Sequence, residues 1–173
     1  MSKLAGKLGK QYDNVKEQAK LRKVSISLGE VSFDLKVRIP IKSEMEQITK
    51  RITEPPKERI DATYNRLSKP IRELLESSDD GFVAALNASK DTIIVKDDDL
   101  IVDGNSVRQV ATFTVMWECK VEEYFHLLQS ETGEAITESY EEISTEFPDI
   151  AIKEIVESIE SKIKPDYAAT KKN

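Results

Sequence analysis

Cys119, Glu122 and His126 stand three and four residues apart, the spacing that brings side chains onto one face of a helix. A thiol, a carboxylate and an imidazole so placed are the ingredients of a metal site or of a Cys–His nucleophile pair. Cys119 is the only cysteine of the chain and His126 its only histidine. The usual zinc sites need three or four Cys and His ligands, and a nucleophile pair needs a further group to orient its base. A collinear set on one helix supplies neither, so a polar outer face is the expectation. A second cluster, Asp97-Asp98-Asp99 with Asp103 nearby, raises the question of a hard cation. Its spacing matches no EF-hand loop, and an exposed acidic turn is expected instead. Asp79-Asp80-Gly81 and Asp103-Gly104 are isolated turn glycines rather than a phosphate-cradling loop. Carboxylates are plentiful, but no pair stands out as buried. No catalytic residue, cofactor or metal is therefore expected, and the chain reads as no enzyme.

The element that must position these residues runs from Asn105 to Gln129. Val107, Val110, Thr114, Trp117, Val121, Tyr124 and Leu128 recur at three and four residues and form one stripe. Asp103-Gly104-Asn105 marks its start, with Asn105 as the capping residue. As one helix it would be about 36 Å long. Phe113, Met116, Phe125 and Leu127 lie off the stripe and widen its apolar face beyond what one neighbour would cover. Such breadth means deep burial or a partner. The candidate partner-binding residues are Phe113, Met116, Trp117, Tyr124 and Phe125, of which Trp117 and Tyr124 also suit a core.

Before this helix, Val24–Ile41 alternates with period two. Val24, Ile26 and Leu28, then Val31, Phe33, Leu35, Val37 and Ile39, predict a β-hairpin around Gly29-Glu30 with one face buried. Ser43-Glu44-Met45-Glu46 has the capping-box pattern and opens a helix with Met45, Ile48 and Ile52 inward. Pro55-Pro56 stops it. Ile60, Tyr64, Leu67, Ile71 and Leu74 predict the next helix, and Pro70 predicts a kink or break near Ser68. Ser77–Asp80 reads as a connector and Phe82–Leu86 as a short turn. Ile93-Ile94-Val95 and Leu100-Ile101-Val102 predict a smaller hairpin. After the central helix and a linker at Ser130–Gly133, Glu134–Phe147 predicts a helix with Ile136, Tyr140, Ile143 and Phe147 aligned. Pro148-Asp149 starts a last one, striped by Ile152, Ile155, Val156, Ile159 and Ile163 and closed by Pro165.

The fold class expected is α+β and predominantly α-helical: amphipathic helices around a long central helix, with an N-terminal β-hairpin and a second small hairpin. The domains expected are a basic segment 1–23, one mainly helical domain 24–165 and a loose tail 166–173. A chain of 173 residues with 39% hydrophobic and 34% charged residues can build such a core under a well-solvated surface. Residues 1–23 hold seven Lys or Arg against Asp13 and Glu17, and residues 130–163 hold ten acids against Lys153 and Lys162. The basic head lacks interleaved aromatics apart from Tyr12, and the net charge is −6. Nucleic acid is therefore not an expected partner. No apolar run is long enough to cross a bilayer, so neither is a membrane. With one cysteine and no apolar signal region, the cytoplasm is the expected location.

Glu134-Ala135-Ile136, followed by Thr145-Glu146-Phe147-Pro148 and an amphipathic helix, resembles the C-terminal region of tail assembly chaperones of lambda-like siphophages. The helix bearing Met116-Trp117 looks like that family's Trp-containing helix, and Gly29–Ile48 is similar to its N-terminal part. The resemblance covers about residues 28–163, and residues 1–23 depart from it. It implies a non-enzymatic assembly factor in the host cytoplasm. Such a factor binds the tape-measure protein, keeps it soluble, helps recruit tail-tube protein and is absent from the mature virion. The resemblance also implies a longer form made by ribosomal frameshifting, with Lys171-Lys172 as the place for an A-rich slippery run. A structural adaptor of the virion tail or neck is the alternative. Apart from the resemblance, the basic head and acidic rear could attract one another between molecules, so self-association is a further expected contact.

Overall fold

The computed structural model describes residues 20–28, 30–76, 92–130 and 134–163. The chain is α+β and predominantly helical, with two small antiparallel sheets. It divides into two compact units, one of residues 1–49 with 120–173 and one of residues 50–119. The expectations for Ser77–Asp80, Phe82–Leu86, most of the basic head, Pro165 and the C-terminal tail lie outside the described residues.

In the first unit, β1 (Leu21–Leu28) and β2 (Val31–Arg38) form the expected hairpin, paired in register from Leu21↔Arg38 to Leu28↔Val31. The strand begins at Leu21, inside the stretch read as the basic head. Directly opposed residues share a face, so Val24 with Leu35 and Ile26 with Phe33 make the apolar side. Helix α5 (Asp149–Ile163) packs on β1. Its predicted stripe, Ile152, Ile155, Val156, Ile159 and Ile163, is buried throughout, as are Val24, Ile26 and Val37. Helix α1 (Lys42–Thr53) starts one residue before Ser43, so no capping box forms there. Glu44 instead takes a forked pair from Arg38, at 2.6 and 2.8 Å. The hydrogen bond from Arg38 holds the Glu44 carboxyl below its ordinary pKa against the opposing effect of burial.

In the second unit, α2 (Lys57–Glu76) runs unbroken through Pro70. The break expected near Ser68 is absent: Ser68 is buried inside the helix. Proline removes one backbone donor and crowds the preceding turn, but a 20-residue helix anchored by Tyr64 and Leu74 tolerates that local loss. Strands β3 (Ile93–Val95) and β4 (Leu100–Val102) form the smaller hairpin, and β5 (Asn105–Ser106) adds a third strand. Asp103 and Gly104 make the turn between β4 and β5, with φ of 48° and 79°. Two consecutive left-handed residues are what a two-residue hairpin demands. The central helix α3 (Val107–Phe125) therefore begins after Asn105, which is a strand residue and not its cap. Tyr64, Leu100, Val107 and Ala111 form the core of this unit, with Leu67, Ile71 and Val102 packed against them.

The central helix is also shorter at its far end. Leu128–Gln129 is a strand, β6, paired with β2 through Lys36↔Gln129 and Val37↔Leu128. The 19 residues of α3 extend about 28 Å. Glu134–Ser139, predicted as helix, is extended chain with one bridge from Ala135 to Gln129. Helix α4 covers only Tyr140–Glu146. A capping box sets its start: Ser139 Oγ accepts from the Glu142 N–H, and the Glu142 carboxylate accepts from the Ser139 N–H.

Candidate functional site

The three residues with potential chemistry are each engaged in holding structure. Cys119 is buried, contrary to the outer polar face expected for it. Glu122 accepts a 3.0 Å hydrogen bond from the Tyr140 N–H. The Nε2 of His126 lies 3.1 Å from the Glu138 carbonyl, which can only accept and so sets Nε2 as the donor. Among the described residues, no group of three or more His, Cys, Asp or Glu side chains could hold a metal ion.

Within the Asp97–Asp99 run, Asp97 and Asp98 are exposed and Asp99 serves as a helix cap. Asp99 Oδ1 accepts from the N–H groups of Leu100 at 2.8 Å and Arg108 at 2.9 Å, and Oδ2 accepts from Ser106 Oγ at 2.6 Å. Ser106 Oγ in turn accepts from the Gln109 N–H at 2.9 Å. Two exposed donors of the first turn of α3 are thereby satisfied. Burial works against the Asp99 charge, but hydrogen bonds from Ser106, Arg108 and Leu100, with the Arg108 charge, outweigh it and hold the pKa below the ordinary value. Arg108 is fixed from three sides. Nη1 is 2.6 Å from Asp61, Nε donates to the Asp98 carbonyl, and the guanidinium lies 4.3 Å above the Tyr64 ring.

These contacts set the rotation of α3 about its axis. Val107, Ala111, Val115 and Cys119 are the buried residues of its first thirteen. The stripe expected there, through Val110, Thr114 and Trp117, is not the covered one. Val110 is 46% exposed and Phe113 59%, while Met116 and Trp117 are half-buried. At 100° per residue, Met116, Phe113, Trp117 and Val110 span an arc of about 120°, centred about 180° from the buried stripe. One helix thus has two apolar faces, and its own unit covers only one. Val110, Phe113 and Trp117, at i, i+3 and i+7, present the spacing with which one helix grips another. Of the five candidate binding residues, Phe113, Met116 and Trp117 belong to this arc. Tyr124 and Phe125 are buried, at 4% and 3% exposure. Val110 belongs to the arc, although it was expected to be core.

A second surface lies in the other unit. Phe33, Leu35, Leu128, Ile136 and Phe147 line an apolar cleft of about 280 Å³, with Phe125 at its base in edge-to-face contact with Phe147 at 5.9 Å. Glu138, Glu142 and Glu146 stand along its rim. The cleft was not legible in the sequence, because its lining is shared among strands, helices and the segment between them, each contributing three residues at most.

Comparison of the chain with protein-family models, with curated proteins and with solved structures found no match. No helix among the described residues is long and apolar enough to cross a membrane.

Proposed function

We propose that this chain is a phage tail assembly chaperone. It binds the helical tape-measure protein, keeps it soluble and helps bring tail-tube subunits to it in the host cytoplasm, then leaves before the virion is complete. The observation that carries this reading is the second apolar face of α3, with Phe113 59% exposed and Val110 46% exposed. A long tape-measure helix exposes its own apolar stripe until the tube encloses it, and helix-on-helix packing would cover both surfaces at once. The acid-rimmed apolar cleft offers a second place for an apolar segment with basic flanks. The resemblance in Glu134-Ala135-Ile136 and Thr145–Pro148 supports the same reading in sequence, although the first of these lies in extended chain here.

Completing the burial of Val110, Phe113 and Trp117 would contribute about 3 kcal/mol of affinity at about 1 kcal/mol per half-exposed side chain, a factor of about 100 in Kd. The test is co-expression of the tagged chain with the phage's tape-measure protein. The wild-type chain is expected to hold that protein in the soluble fraction and to co-purify with it. Val110→Asp with Phe113→Asp is expected to abolish capture without changing the unfolding midpoint, since both sites are exposed. Recovery of the chain only with finished tail particles would refute a chaperone role and assign a structural one. Full capture by the double variant would remove the α3 face from the reading.

A further inference from the structure

The open edge of β1 combines three observations that the α3 reading does not use. The first is backbone. Arg38 N–H donates to the Leu127 carbonyl and Ile39 N–H to the Lys20 carbonyl. These two bonds fix the alternation of the hairpin, so that Lys23, Ser25 and Ser27 direct their N–H and C=O groups away from β2. β1 is the outer strand of its sheet, and no strand among the described residues pairs with that side. The second is shape. Ser25 and Ser27 border a groove of about 390 Å³ whose other wall is the flank of α5: Glu154, Glu157, Ser158 and Ser161. The third is charge. The Oε2 atom of Glu154 is buried and accepts no hydrogen bond. A buried carboxylate oxygen without a donor is costly, and a cationic side chain entering the groove would relieve it.

We infer that this edge is a strand-addition site for an extended polypeptide segment carrying Lys or Arg at alternate positions. The incoming strand would extend the β1–β2 sheet through the backbone groups of Lys23, Ser25 and Ser27. Its side chains on the face of Val24 and Ile26, the face α5 covers, would lie beside Glu154 and Glu157, and basic residues belong there. A second copy of the chain fits poorly. Antiparallel pairing of two β1 edges about a two-fold axis places both α5 helices on the same side of the joined sheet. The Glu154 and Glu157 flanks of the two copies would then face each other, four carboxylates of which only Glu157 has a cation close by, the exposed Lys153 at 3.9 Å on the same helix.

The experiment uses the full-length chain, isotopically labelled, and the peptide acetyl-(Thr-Lys)3-Thr-amide. The same peptide with Glu for Lys and a backbone N-methylated Lys form are the controls. The Lys peptide is expected to shift the amide resonances of Ser25 and Ser27 and to slow their hydrogen exchange. The Glu peptide is expected to bind at least about tenfold more weakly, and the N-methylated form not at all. Glu154→Gln with Glu157→Gln keeps side-chain volume and is expected to weaken the Lys peptide about tenfold, at an unfolding midpoint equal to or above that of the wild-type chain because a buried charge is removed. Equal binding of the Lys and Glu peptides would overturn the proposal. So would the absence of any shift at Ser25 and Ser27 with the Lys peptide near ~1 mM, the weak limit of specific association. A chain that is dimeric alone and becomes monomeric on Ser25→Pro, which removes an edge N–H, would show that a second copy occupies the edge and would also overturn it.

Discussion

Replacing Asp99 by alanine should uncap the central helix. The Asp99 carboxylate accepts from three donors: the Leu100 N–H at 2.8 Å, the Ser106 hydroxyl at 2.6 Å and the Arg108 N–H at 2.9 Å. A lost helix cap costs about 1 kcal/mol, and each further hydrogen bond about 0.5–1 kcal/mol where water replaces part of it. The sum is about 2–3 kcal/mol. With a urea slope of about 2 kcal/mol/M for a chain of this size, the midpoint should fall by about 1–1.5 M. Trp117 is the only tryptophan and lies on the capped helix, so its fluorescence reports the transition directly. Asp97→Ala is the control, since Asp97 is exposed and should move the midpoint by less than about 0.3 M. Equal shifts for Asp97→Ala and Asp99→Ala would refute the capping argument. The pH dependence gives a second reading of the same group. The folded pKa of Asp99 is depressed, so its contribution is present above the unfolded value near ~4 and is lost as pH falls through the folded value. Asp99→Asn should therefore lose less stability than the wild-type chain on acidification below about pH 4.

Three further predictions concern single residues. Pro70 is exposed within α2 and leaves the helix short of one backbone donor, so Pro70→Ala should raise stability by about 1–3 kcal/mol, read as a higher urea midpoint; an unchanged or lower midpoint would mean the helix is relaxed around the ring. Tyr124 has its phenol pushed up to about 12 by burial, then by the charge of Glu160 and a hydrogen bond to it. An ultraviolet titration should show one late phenolate that Glu160→Gln brings down. Because the folded pKa is raised, stability held below the unfolded value near ~10 should decline as pH rises towards the folded one. Ser139→Ala removes the capping box of α4 and should cost about 1 kcal/mol, seen as faster amide exchange at Glu142 and Ile143.

Period was readable from the residues alone. The alternation of Val24, Ile26, Phe33, Leu35 and Val37 requires a strand pair with one apolar face, and the stripe from Ile152 to Ile163 requires a helix buried along it. Both hold because each pattern has a single apolar face that can go only one way. The central helix has two. Val107, Ala111 and Val115 share it with Val110, Phe113 and Trp117, and periodicity does not say which set a neighbour covers. Asp99 and Ser106 decide that through hydrogen bonds, by fixing how the helix leaves β5. The ends of elements were decided the same way. Leu128 and Gln129 continue a helical pattern but gain more as partners of Lys36 and Val37 on β2. The Ser139–Glu142 box was present in the sequence, yet Ile136, in phase with Tyr140 and Ile143, suggested an earlier start. Pairs at short range, such as hairpin turns and stripes, follow from spacing. The exposed face of α3, the acid-rimmed cleft and the open β1 edge beside Glu154 depend on which residues distant in sequence become neighbours, and only the folded chain sets that.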